Sequence, residues 1–122
     1  DVTFAKGPGA SDWQTVPMGK GPTICMGPNI HPALHKQLKE VADKLEIPYS
    51  PEYAPRHTGT DAYAMQITAA GVPTAYIGIP LRYMHTPVEV VAVKDIQRAG
   101  RLLAEFIAGL TPDSLEKFSW DK

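Results

Sequence analysis

The apolar and polar positions of this chain follow two alternating periods. Short apolar runs bounded by glycine and proline predict strands near residues 1–5, 23–26, 49–54, 72–80 and 88–91. Apolar residues spaced three and four apart predict a helix opening at Asn29 or His31, a second over about 60–70, and a third over about 94–108. Strands alternating with helices of this length favour an α/β fold of three layers, with helices flanking a mostly parallel sheet.

The stretch from residue 72 to residue 90 changes character halfway along. Its first half is apolar and β-branched, which predicts a buried strand, and its second half places Arg82, His85 and Glu89 within eight positions. In open α/β sheets, functional groups gather beyond the carboxyl ends of strands. We therefore expect the loop between Pro80 and Pro87 to belong to a functional site.

Composition narrows the classes of function. The 122 residues are enough for one domain, and the net charge of −1 comes without any run of Lys or Arg that could track phosphates, which argues against nucleic acid as a partner. No apolar run approaches the roughly 20 residues that cross a bilayer. Cys25 is the single cysteine, so no internal disulfide can form, and a cytoplasmic location is expected. Asp1 lies inside an apparent strand, which predicts that the chain is a fragment.

Two residues are candidate metal ligands. His85 follows a strand, and Glu89, four residues later, could accept its second ring N–H, as carboxylates do for zinc-bound histidine. The alternative is a hydrogen-bonded loop histidine beside a solvated Glu89. Asp1 precedes a short apolar strand, where a buried carboxylate must be paired or bound to metal, although an ordinary exposed residue is the simpler interpretation.

Two further clusters carry polar groups. In the loop from Arg56 to Asp61, Gly59 permits close backbone approach, and the N–H groups of the following helix could hold an anionic group, while Thr60 or Asp61 could simply cap that helix. His31 and His35 lie one helical turn apart. Because Pro32 stands where a zinc-peptidase helix has its glutamate, we expect these two to be surface histidines.

Several motifs together resemble a known family. They are Gly21-Pro22, Asn29-Ile30-His31-Pro32, Thr58-Gly59-Thr60-Asp61-Ala62, Gly71-Val72-Pro73-Thr74, and above all Ile79-Pro80-Leu81-Arg82-Tyr83-Met84-His85-Thr86-Pro87-Val88-Glu89. They closely resemble the tetrahedral (TET) aminopeptidases, dinuclear metallopeptidases labelled glutamyl aminopeptidase or, at times, endoglucanase. The likeness implies that residues 1–110 are the C-terminal portion of a zinc-peptidase-like catalytic domain and that residues 111–122 form a polar tail.

The resemblance also implies roles for single residues. Asp1 and His85 match two ligands of a pair of divalent metal ions, zinc or cobalt, that activate a water for hydrolysis of N-terminal residues from peptides. Gly59, Thr60 and Asp61 match the loop on the substrate side, and Glu89 would support His85 from the outer shell. Family members form homo-oligomers, dodecamers among them.

The family's other metal ligands and its general-base glutamate lie upstream of the matched segment, and none has a counterpart in these 122 residues. We therefore expect the site to be incomplete, the isolated segment to be inactive, and the upstream portion of the catalytic domain to be its partner. A non-enzymatic binding or assembly module built on the same α/β layer is the alternative hypothesis.

Overall fold

A computed structural model describes residues 1–119 and contains one sheet of five strands. The strands are β1 (Val2–Phe4), β2 (Thr23–Met26), β3 (Ser50–Tyr53), β4 (Ile77–Arg82) and β5 (Val90–Val91). Their order is β1-β4-β2-β3, with β5 paired to β4. The two longer ladders, β1 with β4 and β2 with β3, are parallel, while β2 with β4 and β4 with β5 are antiparallel over two residue pairs each.

Four α-helices accompany the sheet: α1 (Pro32–Lys44), α2 (Asp61–Gln66), α3 (Val93–Ala108) and α4 (Ser114–Lys117). The apolar stripes of α1 and α3 form the main core with the sheet; its buried members are Ile24, Leu34, Leu38, Ala42, Ile47, Leu102, Phe106 and Phe118. Each leucine, isoleucine and phenylalanine side chain among them contributes about 1.5–3 kcal/mol when fully removed from water. The amphipathic pattern of α1 and α3 therefore accounts for most of this core.

The sheet is covered on both sides. Ile24 belongs to the main core, whereas its neighbour Cys25 packs with Ile30, Ala62 and Tyr76 in a second cluster. Because successive strand residues point to opposite faces, α2 lies on the face away from α1 and α3. The three-layer α/β architecture expected from the sequence is confirmed.

Some boundaries differ from the sequence-based expectation. Helix α2 ends at Gln66 instead of near Ala70, since Ala69 and Gly71 adopt positive φ angles of 52° and 94°. Strand β4 begins at Ile77, although the apolar run begins at Val72. Within the segment predicted as a polar tail, residues 114–117 form α4 and Phe118 is buried in the main core, while residues 120–122 lie outside the described range.

The expectation that His31 and His35 are surface residues is wrong. His31 is 6% exposed, and its ring caps α1 by accepting the Ala33 N–H at 3.2 Å. The His35 ring is half-buried and lies 2.9 Å from the carbonyl oxygen of Cys25. Both rings therefore tie α1 to its surroundings.

No helix within residues 1–119 combines the length and the apolar character needed to cross a bilayer.

Candidate functional site

The loop after β4 holds His85 in an unusual backbone conformation. Tyr83 and His85 have positive φ angles of 61° and 62°, and the Thr86 N–H closes a turn on the Tyr83 carbonyl oxygen at 3.2 Å. Non-glycine residues in this region are uncommon and concentrate at functional sites. The exposed His85 side chain is thus presented by a reversed, hydrogen-bonded loop at the carboxyl end of β4.

Glu89 contacts this loop through the main chain. Its Oε1 accepts the backbone N–H of His85 at 2.8 Å, so the carboxylate holds the His85 peptide instead of the ring. The hydroxyl of Thr86 donates to the carbonyl oxygens of Tyr83 and Val88, at 2.5 and 3.0 Å. Glu89 and Thr86 together fix the orientation of the peptide that carries the imidazole.

Asp1 immediately precedes β1, the strand that pairs in parallel with β4. Strand β1 pairs in parallel with β4 through Val2 and Ile79, and the Asp1 carbonyl oxygen accepts the Ile79 N–H at 3.0 Å. The exposed Asp1 carboxylate accepts the N–H of Val2 at 2.7 Å. Asp1 immediately precedes β1, and His85 lies three residues beyond the carboxyl end of β4.

The two donors suit a divalent transition metal, since zinc takes carboxylate oxygen and neutral imidazole nitrogen. Within the part of the chain that the structure describes, no three His, Cys, Asp or Glu side chains lie together as a metal-binding group. A zinc site normally needs three or four protein ligands. Asp1 and His85 supply two donors of the types that zinc accepts, fewer than such a site needs.

The predicted substrate loop is anchored from two sides. Thr60 caps α2 by accepting the Ala62 N–H at 3.3 Å, and the Thr58 N–H donates to Asn29 Oδ1 at 3.1 Å. Gly59 is exposed, and a Cβ there would meet nothing within 4 Å. Asp61, also exposed, is the first residue of α2. The loop therefore presents an open backbone segment between two fixed residues.

Asn29 is a residue that the sequence suggested only as a possible helix start. It is 8% exposed, and besides Thr58 it binds α2, because its Nδ2 donates to Gln66 Oε1 at 3.0 Å. It follows β2, whose parallel neighbour β3 precedes the 56–61 loop. Asn29 thus connects the carboxyl-end loops of these two strands.

A cavity of about 990 Å³ lies at the carboxyl ends of β1, β3 and β4. Its lining includes Phe4, Trp13, Glu52, Tyr53, Arg56 and Tyr83. This is the edge at which α/β sheets place their sites.

Glu52 was missed by the sequence analysis, which assigned residues 49–54 only to a strand. Its half-buried carboxylate accepts the hydroxyl protons of Thr3 at 2.8 Å and Thr23 at 2.5 Å. Burial, and secondarily the negative charge of Glu52, raises the pKa of the Cys25 thiol to about 12. The same two causes, in the same order, raise the pKa of Tyr76. No local motif marks Glu52, because its two hydroxyl partners lie 29 and 49 positions away along the chain.

Comparison with known proteins identifies the relatives of this chain. The family model described as M42 glutamyl aminopeptidase matches residues 1–102. The chain belongs to the M42 glutamyl aminopeptidase family. This result confirms the resemblance derived from the 79–89 motif and its companions.

Individual M42 relatives agree with the family match. The chain is 46% identical over 112 residues to a lysyl aminopeptidase of Pyrococcus furiosus, which covers 92% of this chain and 32% of that protein. A TET aminopeptidase from a marine sediment archaeon, Thaumarchaeota archaeon SCGC AB-539-E09, superposes with a TM-score of 0.88 at 30% identity, covering 98% of this chain and 34% of that one. PhTET1-12s, a dodecamer in the asymmetric unit, superposes with a TM-score of 0.65 at 26% identity, covering 88% of this chain and 31% of that one. The chain spans about a third of the length of the relatives it matches.

Proposed function

We propose that this chain is part of a metal-dependent aminopeptidase that removes N-terminal residues from peptides. The observation that carries the proposal is the M42 match over residues 1–102, with 46% identity to a lysyl aminopeptidase. The loop geometry at residues 82–89 supports it, because that loop presents an imidazole at the carboxyl end of a central strand.

In this proposal Asp1 and His85 are two of the ligands of a dinuclear centre of zinc or cobalt. When bound, such ions polarise the scissile carbonyl and lower the pKa of a coordinated water toward neutrality. Glu89 keeps the His85 peptide in place through its backbone N–H. The general-base glutamate and the other ligands belong to the upstream portion of the catalytic domain.

The loop of Gly59, Thr60 and Asp61 lines the substrate side of the site. Its exposed backbone at Gly59 leaves room for a peptide main chain, since nothing lies within 4 Å of a Cβ built there. Thr60 stays in its capping role, and Asn29 holds Thr58. The loop thereby contributes a fixed edge against which a peptide can bind.

The intact protein is proposed to be a cytoplasmic homo-oligomer. The oligomer is supported by the similarity to PhTET1-12s, a dodecamer, and the location by the single buried cysteine, which fits a reducing compartment. Mass measurement of the purified protein in solution tests the oligomer, and a monomer would contradict it.

Hydrolysis of aminoacyl anilides by the protein in its full natural length, with zinc or cobalt added, tests the activity. We expect turnover that is abolished by chelator and reduced at least about 100-fold by His85→Ala, with loss of bound metal. The control is His35→Ala, which removes a ring that bonds the Cys25 carbonyl oxygen and leaves the metal content unchanged. The 122-residue chain alone is expected to be inactive, and turnover by it would contradict the assignment of the general base to the upstream portion.

The second candidate is a non-enzymatic binding or assembly module. It is favoured by the lack of any three-residue metal-binding group within residues 1–119. The two candidates differ in one measurement: a full-length protein that binds no divalent metal supports the module and excludes the peptidase.

A further inference from the structure

Glu52 connects strands that are not neighbours in the sheet. It lies on β3, yet its carboxylate binds Thr3 of β1 and Thr23 of β2. In the strand order β1-β4-β2-β3, two strands separate β1 from β3. The hydrogen bond from Thr3 to Glu52 therefore joins two strands that share no ladder.

Gly78 of β4 leaves room for the contacts between Glu52 and the two threonines. A Cβ at residue 78 would lie 2.3 Å from Thr23 Oγ1, 2.9 Å from Glu52 Oε2 and 3.1 Å from Thr3 Cγ2. Those distances are shorter than van der Waals contact, so only glycine leaves the carboxylate room. The glycine and the three side chains form one closely packed unit, which we call the Glu52 bridge.

The two hydroxyls of the bridge are buried, while Glu52 is half-buried and lines the cavity of about 990 Å³. Thr3 and Thr23 are 7% and 0% exposed, and Glu52 takes part in no ion pair within residues 1–119. Placing a carboxylate there is costly unless its oxygens accept hydrogen bonds, and the two hydroxyls supply one bond to each oxygen.

The location of Thr3 suggests a role beyond packing. Asp1 immediately precedes β1 and lies two residues before Thr3, and residues i and i+2 of an extended chain point to the same face. Hydrogen bonding of Thr3 to Glu52 therefore fixes β1 on the side from which the Asp1 carboxylate projects. Strand β1 is also held by its ladder with β4, by the Tyr76 hydroxyl on the Val2 carbonyl oxygen and by the Val16 N–H on the Phe4 carbonyl oxygen, and the Thr3 hydroxyl adds a restraint from a side chain of β1 itself.

We propose that Glu52 is a positioning residue for the metal-ligating carboxylate of Asp1, acting through the hydroxyl of Thr3. The inference rests on the proposed function, because it requires Asp1 to bind metal. Removal of an outer hydrogen bond that orients a ligand typically lowers metal affinity about 10–100-fold. A purely structural bridge would instead affect stability equally at Thr3 and at Thr23.

Two matched substitutions separate these roles. Thr3→Val and Thr23→Val each delete one hydroxyl bonded to Glu52 while keeping the side-chain shape, but only Thr3 lies on the strand of Asp1. Zinc affinity of the full-length protein is measured by competition with a chromophoric chelator, alongside urea unfolding of the metal-free forms. We expect Thr3→Val to weaken zinc binding about tenfold and Thr23→Val to leave it within about twofold, with similar losses of stability.

A third variant tests whether the bridge acts by hydrogen bonding. Glu52→Gln keeps two polar atoms, and the threonine hydroxyls can donate to its Oε1 and accept from its Nε2. We expect Glu52→Gln to retain zinc affinity within about threefold and Glu52→Ala to lose at least as much as Thr3→Val. A loss with Glu52→Gln as large as that with Glu52→Ala would overturn the positioning role.

The remaining outcomes are also decisive. If Thr3→Val and Thr23→Val weaken zinc binding equally, or neither does, the inference is overturned while the aminopeptidase proposal stands, provided that the unsubstituted protein binds zinc and cleaves anilides. If the unsubstituted protein binds no zinc, both proposals are overturned.

Discussion

At the scale of single residues, the buried thiol of Cys25 predicts a pH dependence of stability. Cys25 is 1% exposed, and burial first and the charge of Glu52 second raise its pKa from 9.0 to about 12. The folded state therefore keeps the thiol proton to higher pH than the unfolded chain does. This contribution to stability is fully present below about pH 9 and is lost as the pH rises toward about 12.

The measurement is urea unfolding between pH 7 and pH 10.5. We expect the free energy of unfolding to fall above pH 9, and to fall less steeply in Cys25→Ala. The pKa of Tyr76 is also raised, above all by burial, so part of the loss above pH 10 persists in that variant. An identical pH slope in the two proteins would show that Cys25 does not titrate as its surroundings require.

Alanine substitutions at Gly78 and at Gly100 should change the stability of the fold in opposite directions. Gly78→Ala places a methyl group against Thr23 Oγ1 and Glu52 Oε2, which we expect to cost about 1–3 kcal/mol of stability through overpacking. Gly100→Ala is the matched control, because Gly100 is exposed on α3 and nothing lies within 4 Å of a Cβ built there. We expect this substitution to stabilise the protein by up to about 1 kcal/mol. Equal effects of the two substitutions in denaturant unfolding would contradict the close packing at Gly78.

At the scale of elements, helices with a continuous apolar stripe could be predicted from the sequence. Segments whose backbone conformation depends on contacts with distant residues could not. Helices α1 and α3 appear near their expected positions because their apolar stripes are continuous. Helix α2 stops early since only Ala62 is buried along it, and Val72 N–H instead binds the Gln66 carbonyl oxygen at 3.0 Å. The run before Ile77 is strand-like in sequence, but its carbonyl groups at Thr74 and Tyr76 bind His31 and Cys25 outside any ladder.

The first turn of α3 is bonded to a distant loop through Asp95, a contact that the sequence pattern does not indicate. Asp95 is 0% exposed and accepts the N–H groups of Gly19 at 2.6 Å and Gly21 at 2.9 Å. Arg98, 3.8 Å away, donates to the Gly19 carbonyl oxygen at 3.2 Å. One helical turn therefore fastens the glycine-rich loop that leads into β2.

Removal of this anchor should be strongly destabilising. Asp95→Ala leaves the buried N–H of Gly21, the partly buried N–H of Gly19 and Arg98 without their acceptor, which we expect to cost about 3 kcal/mol. The control is Glu105→Ala on the exposed side of the same helix, which should change stability by less than about 0.5 kcal/mol. Thermal and urea unfolding measure both, and a small loss for Asp95→Ala would mean that the 19–21 loop is held by other contacts.

At the scale of the whole molecule, the sequence motifs predict which strands carry the candidate ligands but not what supports them. The 79–89 run predicts His85 after a strand, and the structure places it three residues beyond β4, which pairs in parallel with β1. Glu52 and Asn29 emerge only in three dimensions, since their partners lie 29 to 49 positions away along the chain. Local patterns carry no information on such pairs, which depend on the completed sheet.

Three aromatic side chains at the sheet edge are exposed to solvent. Phe4, Trp13 and Tyr53 are 58%, 82% and 71% exposed, and all three line the cavity of about 990 Å³ at the sheet edge. A contiguous exposed apolar patch of this kind marks an interaction surface or a tendency to associate. Under the proposed function, the upstream portion of the catalytic domain covers it.

The 122-residue chain expressed alone is therefore expected to bind the dye ANS and to self-associate with rising concentration, whereas the full-length protein binds little dye. Replacing Trp13 and Tyr53 by serine should reduce ANS fluorescence of the short chain several-fold, because both rings lie in the same patch. Val93→Ser is the control, since Val93 is 66% exposed but does not line the cavity. Equal dye binding by the short chain and the full-length protein would show that the patch stays open to solvent, and the cavity would then have to be filled by a separate partner.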